Sequence, residues 1–236
     1  MTHLPLRRAT RTSRLGVLGR GAVVAALTLS TTALGGVQSS YASERHDAKC
    51  CVAARVFHDQ MRELWDDHIT YTRLAIVSFA GGLPDLAATQ ARLLQNQTDL
   101  GNAFKPFFGD AVGDHLTALL RVHILTSVDI LKAAKAGDTT AFNAAVATWY
   151  ANANDIADFL SSLNPVHWPD ADMRMMMKEH LDLTLKEASD RLQGKFADDI
   201  ADFDQIHQQI LGMADTLSDG IIDEFPWCFC SDGDDD

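Results

Sequence analysis

Between Cys51 and Cys228 the chain contains no cysteine, so nothing inside that span can be cross-linked or can form a thiolate metal cluster. Proline is sparse too. After Pro5 it occurs only at Pro84, Pro106, Pro165, Pro169 and Pro226, each beside a break between long periodic stretches. Alternating apolar and polar runs of strand length are missing, which removes sheet-based folds. There is no Gly-x-Ser-x-Gly, no phosphate loop, no dinucleotide fingerprint and no Cys-x-x-Cys-His. Nothing therefore signals a serine hydrolase, a nucleotide enzyme or covalently attached haem. Positive charge is also short, at 20 basic against 32 acidic residues.

Five of those basic residues, Arg7, Arg8, Arg11, Arg14 and Arg20, precede an apolar stretch from Gly21 to about Val37. A basic start, a modest hydrophobic middle and small residues at Ser40-Tyr41-Ala42 form the layout of an export signal, residues 1–42. Roughly 17 residues interrupted by hydroxyls is short for a bilayer span, so no membrane span is expected once the signal is removed. Arg7-Arg8 also admits a twin-arginine route beside the general one. The expected location is extracellular or in the cell envelope. Without residues 1–42, 15 basic groups face 32 acidic ones, a formal charge of −17 that disfavours nucleic acid as a partner.

The cysteines then stand at the two ends of the exported chain: Cys50 and Cys51 in a short segment, 43–51, and Cys228 and Cys230 in an acidic tail, 227–236. In an oxidising compartment this predicts a disulfide joining the termini, with thiolate metal binding as the alternative.

From 52 to 226 the periodicity predicts one all-α domain, a bundle of six helices built from three pseudo-repeated helical hairpins. The helices break at Gly81-Gly82, before Pro106, at Gly137, at Asn164-Pro165, at Gly194 and near Gly220. The repeat is visible in Asp67-His68-Ile69, Asp114-His115-Leu116 and Glu179-His180-Leu181. It extends to the partner helices at Asn96, Asn152 and His207. Neighbouring side chains on a helix diverge by about 100°, so the histidines are expected inside and their acids outside.

If the hairpins surround a common axis, His68, His115 and His180 converge on it, with His207, Glu187 and Asp204 near enough to complete a site. Such a cluster suits a divalent metal (zinc, iron or copper) or a small polar ligand. Thr72, Thr184, Asn96 and Asn152 are the expected supporting partners. His123, eight residues beyond His115, is about 80° off its direction and is assigned to another contact. Met173, Met175, Met176 and Met177 raise copper but read first as core filler. Trp65, Trp149 and Trp168 read as packing anchors. In the competing reading, the histidines are hydrogen-bonded core residues of a structural module. A metal-dependent enzyme is a third reading, for which no nucleophile is evident.

The stretches Leu64-Trp65-Asp66-Asp67-His68-Ile69-Thr70-Tyr71-Thr72-Arg73, Trp149-Tyr150-Ala151-Asn152-Ala153-Asn154-Asp155-Ile156-Ala157 and Glu179-His180-Leu181-Asp182-Leu183-Thr184 resemble a family of uncharacterised bacterial helical proteins. That resemblance implies an all-helical fold with His68, Thr72, Arg73, Asn152 and His180 in the family pattern, and it brings no activity.

Overall fold

The structure is a computed structural model that describes residues 52–230. The export signal, the 43–51 segment with Cys50 and Cys51, and the last six residues lie outside the described residues. Six helices follow one another: α1 (Ala54–Gly81), α2 (Leu86–Phe108), α3 (Asp110–Ala136), α4 (Thr139–Leu163), α5 (Asp170–Leu192) and α6 (Phe196–Glu224). Connections this short force each helix to run antiparallel to the one before it. Each packs on its sequence neighbours, and α6 returns to pack on α1, closing a ring of six. No helix among the described residues is long and apolar enough to cross a membrane.

Local chemistry sets the breaks. Gly137 takes a left-handed φ of 69° and its N–H caps Ala133 O and Ala134 O, ending α3. Asp138 then caps α4 through Oδ1, which accepts from Ala141 N at 2.9 Å. Two expected ends are corrected. Helix α2 runs through Pro106 to Phe108, because a missing N–H so near the C-terminus removes one hydrogen bond and leaves the rest of the helix intact. Helix α6 continues past Gly220, whose role is close approach: Trp168 packs on its bare Cα and donates Nε1 to Thr216 O at 3.1 Å.

The ring is closed at one end and open at the other. At the end holding Val52 and Cys230, Phe57, Phe104, Phe107, Phe108, Trp168 and Phe225 form a continuous aromatic cluster, with ring centres 5.0 to 6.1 Å apart. A two-residue parallel pairing, β1 (Val52–Ala53) with β2 (Phe229–Cys230), brings the ends of the described chain side by side. This strand pair was not legible in the sequence. The expected terminal disulfide depends on Cys50 and Cys51, outside the described residues; among the described ones no disulfide is found.

Helices α2 and α3 meet through Gly101 and Gly113. A Cβ on Gly113 would lie 2.5 Å from Gly101 O, and one on Gly101 would collide with Gly113 O and Thr117 Oγ1. Since backbone cannot yield as a flexible side chain can, Gly101→Ala is expected to lower stability by about 3 kcal/mol, the upper end of usual overpacking costs. Urea unfolding checks this, and a loss below about 1 kcal/mol would mean that the helices separate freely.

Candidate functional site: a histidine layer across the bundle axis

Odd-numbered helices each place one histidine on their buried stripe. In α1 the stripe runs Phe57, Met61, Trp65, His68, Ile69; in α3 it runs Leu116, Leu120, His123, Ile124; in α5 it runs Met173, Met177, His180, Leu181. The three histidines stand at equal depth. His68, His123 and His180 each precede by fourteen residues the left-handed glycine of the following turn, Gly82, Gly137 or Gly194. At about 1.5 Å per residue the layer therefore crosses the ring roughly 20 Å below its open end.

The rings meet, with His180 between the other two. Its centre is 5.7 Å from that of His68 and 6.4 Å from that of His123. Trp65 sets its ring edge-on to His68 at 5.5 Å, and Trp149 lies against His123 at 5.0 Å. Exposures of 3% for His68 and His123 and 4% for His180 explain their acidity. Desolvation holds His123 down to about 3 and His180 to about 4. The same burial, reinforced by the two neighbouring imidazoles, pushes His68 well below its ordinary value. At neutral pH the layer is three uncharged imidazoles.

Each histidine has an amide twenty-nine residues later, on the next helix: Gln97, Asn152 and Gln209, the first two within hydrogen-bond distance. His123 Nδ1–H donates to Asn152 Oδ1 at 3.0 Å while Asn152 Nδ2 donates to Leu119 O at 3.2 Å, which fixes both the amide and the tautomer. Gln209 Nε2 likewise donates to Met176 O at 3.0 Å. In the first hairpin the work is divided. Asn96 Nδ2 donates to Leu64 O at 2.8 Å and Gln97 Nε2 faces His68 Nδ1 at 3.3 Å. Leu64, Leu119 and Met176 all sit one helical turn before their histidine.

One turn beyond, Thr72, Ser127 and Thr184 stand four residues after each histidine. Thr72 and Thr184 return their hydroxyl protons to His68 O and His180 O at 2.7 and 2.8 Å, and Ser127 to Ile124 O at 2.8 Å. These hydroxyls, with Trp149, border a small cavity of about 40 Å³. Above it a cleft of about 1040 Å³ opens at the loop end of the ring; the two share Ile130, Leu131, Leu185 and Ala188 as walls.

Several expectations are corrected. His115 is exposed and packs edge-on to Phe159 at 4.6 Å, because α3 buries the stripe beginning at Leu116, one residue or about 100° away. His123, assigned elsewhere from the sequence, takes its place. His207 is half-exposed on the α1–α6 seam, its Nε2 2.9 Å from Asp66 Oδ1, and Asp204 is exposed. Gln209, two residues on, faces the layer instead. Glu187 is 2% exposed but belongs to a separate ionic cluster with Arg73 and Asp199. His68, His180, Asn96, Asn152, Thr72 and Thr184 lie at the layer or beside it. The acids Asp67 and Asp114 pair outward with Arg92 and Lys105.

The metal expectation has a geometric test. Two imidazoles sharing one tetrahedral ion stand about 5 Å apart between centres, given metal–nitrogen bonds of about 2.1 Å. The 6.4 Å between His123 and His180 exceeds this, and among the described residues no three histidine, cysteine or carboxylate side chains are grouped to hold an ion. What the layer does offer is hydrogen bonding. Of seven buried side-chain atoms that lack a partner among the described residues, five stand at or beside the layer: Trp65 Nε1, Trp149 Nε1, Gln97 Oε1, His180 Nδ1 and Gln209 Oε1.

The molecule is thus an all-α, closed six-helix bundle with a polar layer at mid-height. Compared with family models, with curated proteins and with solved structures, the chain matches none of them.

Proposed function

We propose that this is an exported, non-enzymatic binding protein made of three copies of one hairpin unit. Its histidine layer receives a small uncharged polar group along the bundle axis. The observation that carries the reading is the set of unsatisfied buried atoms in the layer. Buried polar atoms are almost always paired, since each one left alone costs about 1–3 kcal/mol. A movement of His180 and Gln209 toward each other pairs two of them. That leaves two indole donors and the Gln97 acceptor; of these residues Trp149 borders the cavity, where the Thr72, Ser127 and Thr184 hydroxyls present lone pairs. A ligand group that both accepts and donates, such as a hydroxyl or an amide, complements that set. A cavity of about 40 Å³ exceeds the roughly 10–15 Å³ that one water needs, so it has room for the polar end of a small ligand.

The test titrates the mature, untagged protein with acetamide, imidazole and zinc ions while observing the ring nitrogens of the histidines by ¹⁵N NMR. Acetamide or imidazole is expected to shift the His68 and His180 signals and to raise the melting temperature, and Thr184→Val to remove both effects. Zinc alone acting, or a divalent ion found by elemental analysis, would replace this ligand class with a metal. If no probe shifts the rings, the reading fails in favour of a second one: that the layer is only a structural key. The amide bonds between consecutive helices favour that alternative, because each already ties one hairpin together.

A further inference from the structure

The cleft at the open end is not explained by the histidine layer, which lies below it. Its floor is apolar, built from Ile130, Leu131, Leu185 and Ala188, and Phe142 and Phe196 join the walls. At about 1040 Å³ it reaches the upper end of the range of sites for drug-sized molecules, about 300–1,000 Å³. What decides the ligand's charge is how the ionic groups along α5 and the start of α6 are layered. Lys186 binds Asp190 Oδ2 at 3.1 Å and Asp202 Oδ1 at 2.5 Å, Lys195 binds Asp190 Oδ1 at 3.3 Å, and Arg191 binds Asp199 Oδ2 at 3.2 Å. The carboxylates in these pairs are interior: side-chain exposure is 11% for Asp190, 0% for Asp199 and 2% for Asp202. The cations are outward, at 56% for Lys186, 50% for Lys195 and 22% for Arg191.

The cation is the more exposed partner in each pair; Asp190, which also lines the cleft, is nearly covered, and Asp199 and Asp202 lie outside the lining. Lys135 adds a fourth cation on the α3 side, its Nζ donating to Phe79 O at 2.9 Å. The acid on the wall with substantial exposure is Asp182, held by the Tyr150 hydroxyl and by Lys178, both at 2.5 Å. In a chain whose formal charge is −12 overall, an apolar hollow rimmed by outward cations is a local reversal of sign.

We propose that this cleft binds an organic anion with an apolar body, such as a medium-chain carboxylate, the tail on the Leu131–Ala188 floor and the head between Lys186 and Lys195. Exposed lysine ammonium groups keep donors free for such a head, and the rim positions it without any rearrangement of the helices.

Decanoate and decyltrimethylammonium, whose apolar chains of nine and ten carbons are nearly matched and whose heads differ in sign, are titrated below their micelle concentrations into the full mature protein by calorimetry. Decanoate is expected to bind and to raise the melting temperature, and the cationic homologue to do neither. Ala134→Trp, at an exposed wall position, should abolish decanoate binding. Lys195→Ala should weaken it about tenfold, the size of one charge-assisted hydrogen bond, and Lys195→Arg should restore it. Lys195 is the safer probe, because removing Lys186 would strip the buried Asp202 of its partner. His180→Phe should leave decanoate binding intact, so failure at the cleft is separable from failure of the histidine layer. Equal binding of both heads, no binding, or binding unaffected by Ala134→Trp would overturn the proposal. So would attachment to phosphatidylglycerol vesicles without decanoate binding, which would make the face a membrane contact.

Discussion

Acidification from pH 6.5 toward pH 4 is expected to unfold this protein over a narrow range, because the histidine layer can enter the core only uncharged. His123 and His180 have native pKa values near 3 and 4, and His68 lies well below its ordinary value, whereas all three titrate near 6.5 in the unfolded chain. Within that window the unfolded state binds more protons than the native state, so stability is full above 6.5 and falls as pH falls. Glu187 opposes this. Burial raises it to about 7, so between its unfolded value of 4.5 and 7 the native state holds the extra proton and stability declines as pH rises. Three histidines against one glutamate leave a net difference of roughly two protons near pH 5.5. That is a loss of about 2.5 kcal/mol per pH unit, large beside a typical total of about 5–15 kcal/mol. Urea unfolding repeated from pH 7 to pH 4 measures the slope. His180→Phe, which replaces one imidazole by an uncharged ring, should lower it by about one proton; a slope that does not change would mean that the layer is hydrated and not buried.

Arg73→Met is expected to be the most damaging single substitution outside the layer. The Arg73 guanidinium binds Glu187 Oε1 at 2.5 Å and Asp199 Oδ1 at 2.8 Å, and it lies over the Phe203 ring at 4.8 Å. Its two carboxylate partners are 2% and 0% exposed, so neither can turn to water when the cation is lost. Breaking a buried pair from one side costs about 3–5 kcal/mol, since the remaining charge is uncompensated. For a domain of this size that corresponds to a fall in melting temperature of roughly 6–20 °C. Asp199 keeps Arg191 at 3.2 Å, so the uncompensated charge is mainly that of Glu187. Adding Glu187→Gln to Arg73→Met should therefore recover at least about 1 kcal/mol where Glu187 is ionised, and since losing Arg73 raises that carboxyl beyond its native value of about 7, the loss in the single variant should grow as pH rises above 7. A loss under about 1 kcal/mol would show that the cluster is solvated.

Arg73 illustrates what a sequence leaves unsaid. It stands five residues after His68 on α1, yet nothing near it in the chain identifies Glu187 and Asp199, more than a hundred residues away, as its partners. The histidines show the opposite, a signal that was present under a misleading one. The acid-histidine pairs set a register of Asp67-His68, Asp114-His115 and Glu179-His180, correct in the first and third hairpins and wrong in the second. His115 and His123 are both followed by a buried apolar residue, Leu116 or Ile124, so the local pattern could not separate them. The distance to the capping glycine does separate them: fourteen residues from His68, His123 and His180, but twenty-two from His115. A position measured from the turn gives depth in the bundle, which is what decides whether side chains on parallel helices meet. Counting back from Gly194 in the same way leads through His180 to Gln209 and away from His207.

The sequence alone determined the six helices, most of their breaks and the all-α class, because a 3.6-residue apolar period interrupted by glycine and proline is a local property of the chain. It also placed histidines and amides on or near the inner stripes, since helical phase is fixed within a turn or two. Which of them touch, which acids stay buried behind lysines, and the opening of one end of the ring above the histidine layer were settled only by tertiary structure. Those features depend on six helices closing a ring, and so on relative depth and rotation between segments that no local pattern records.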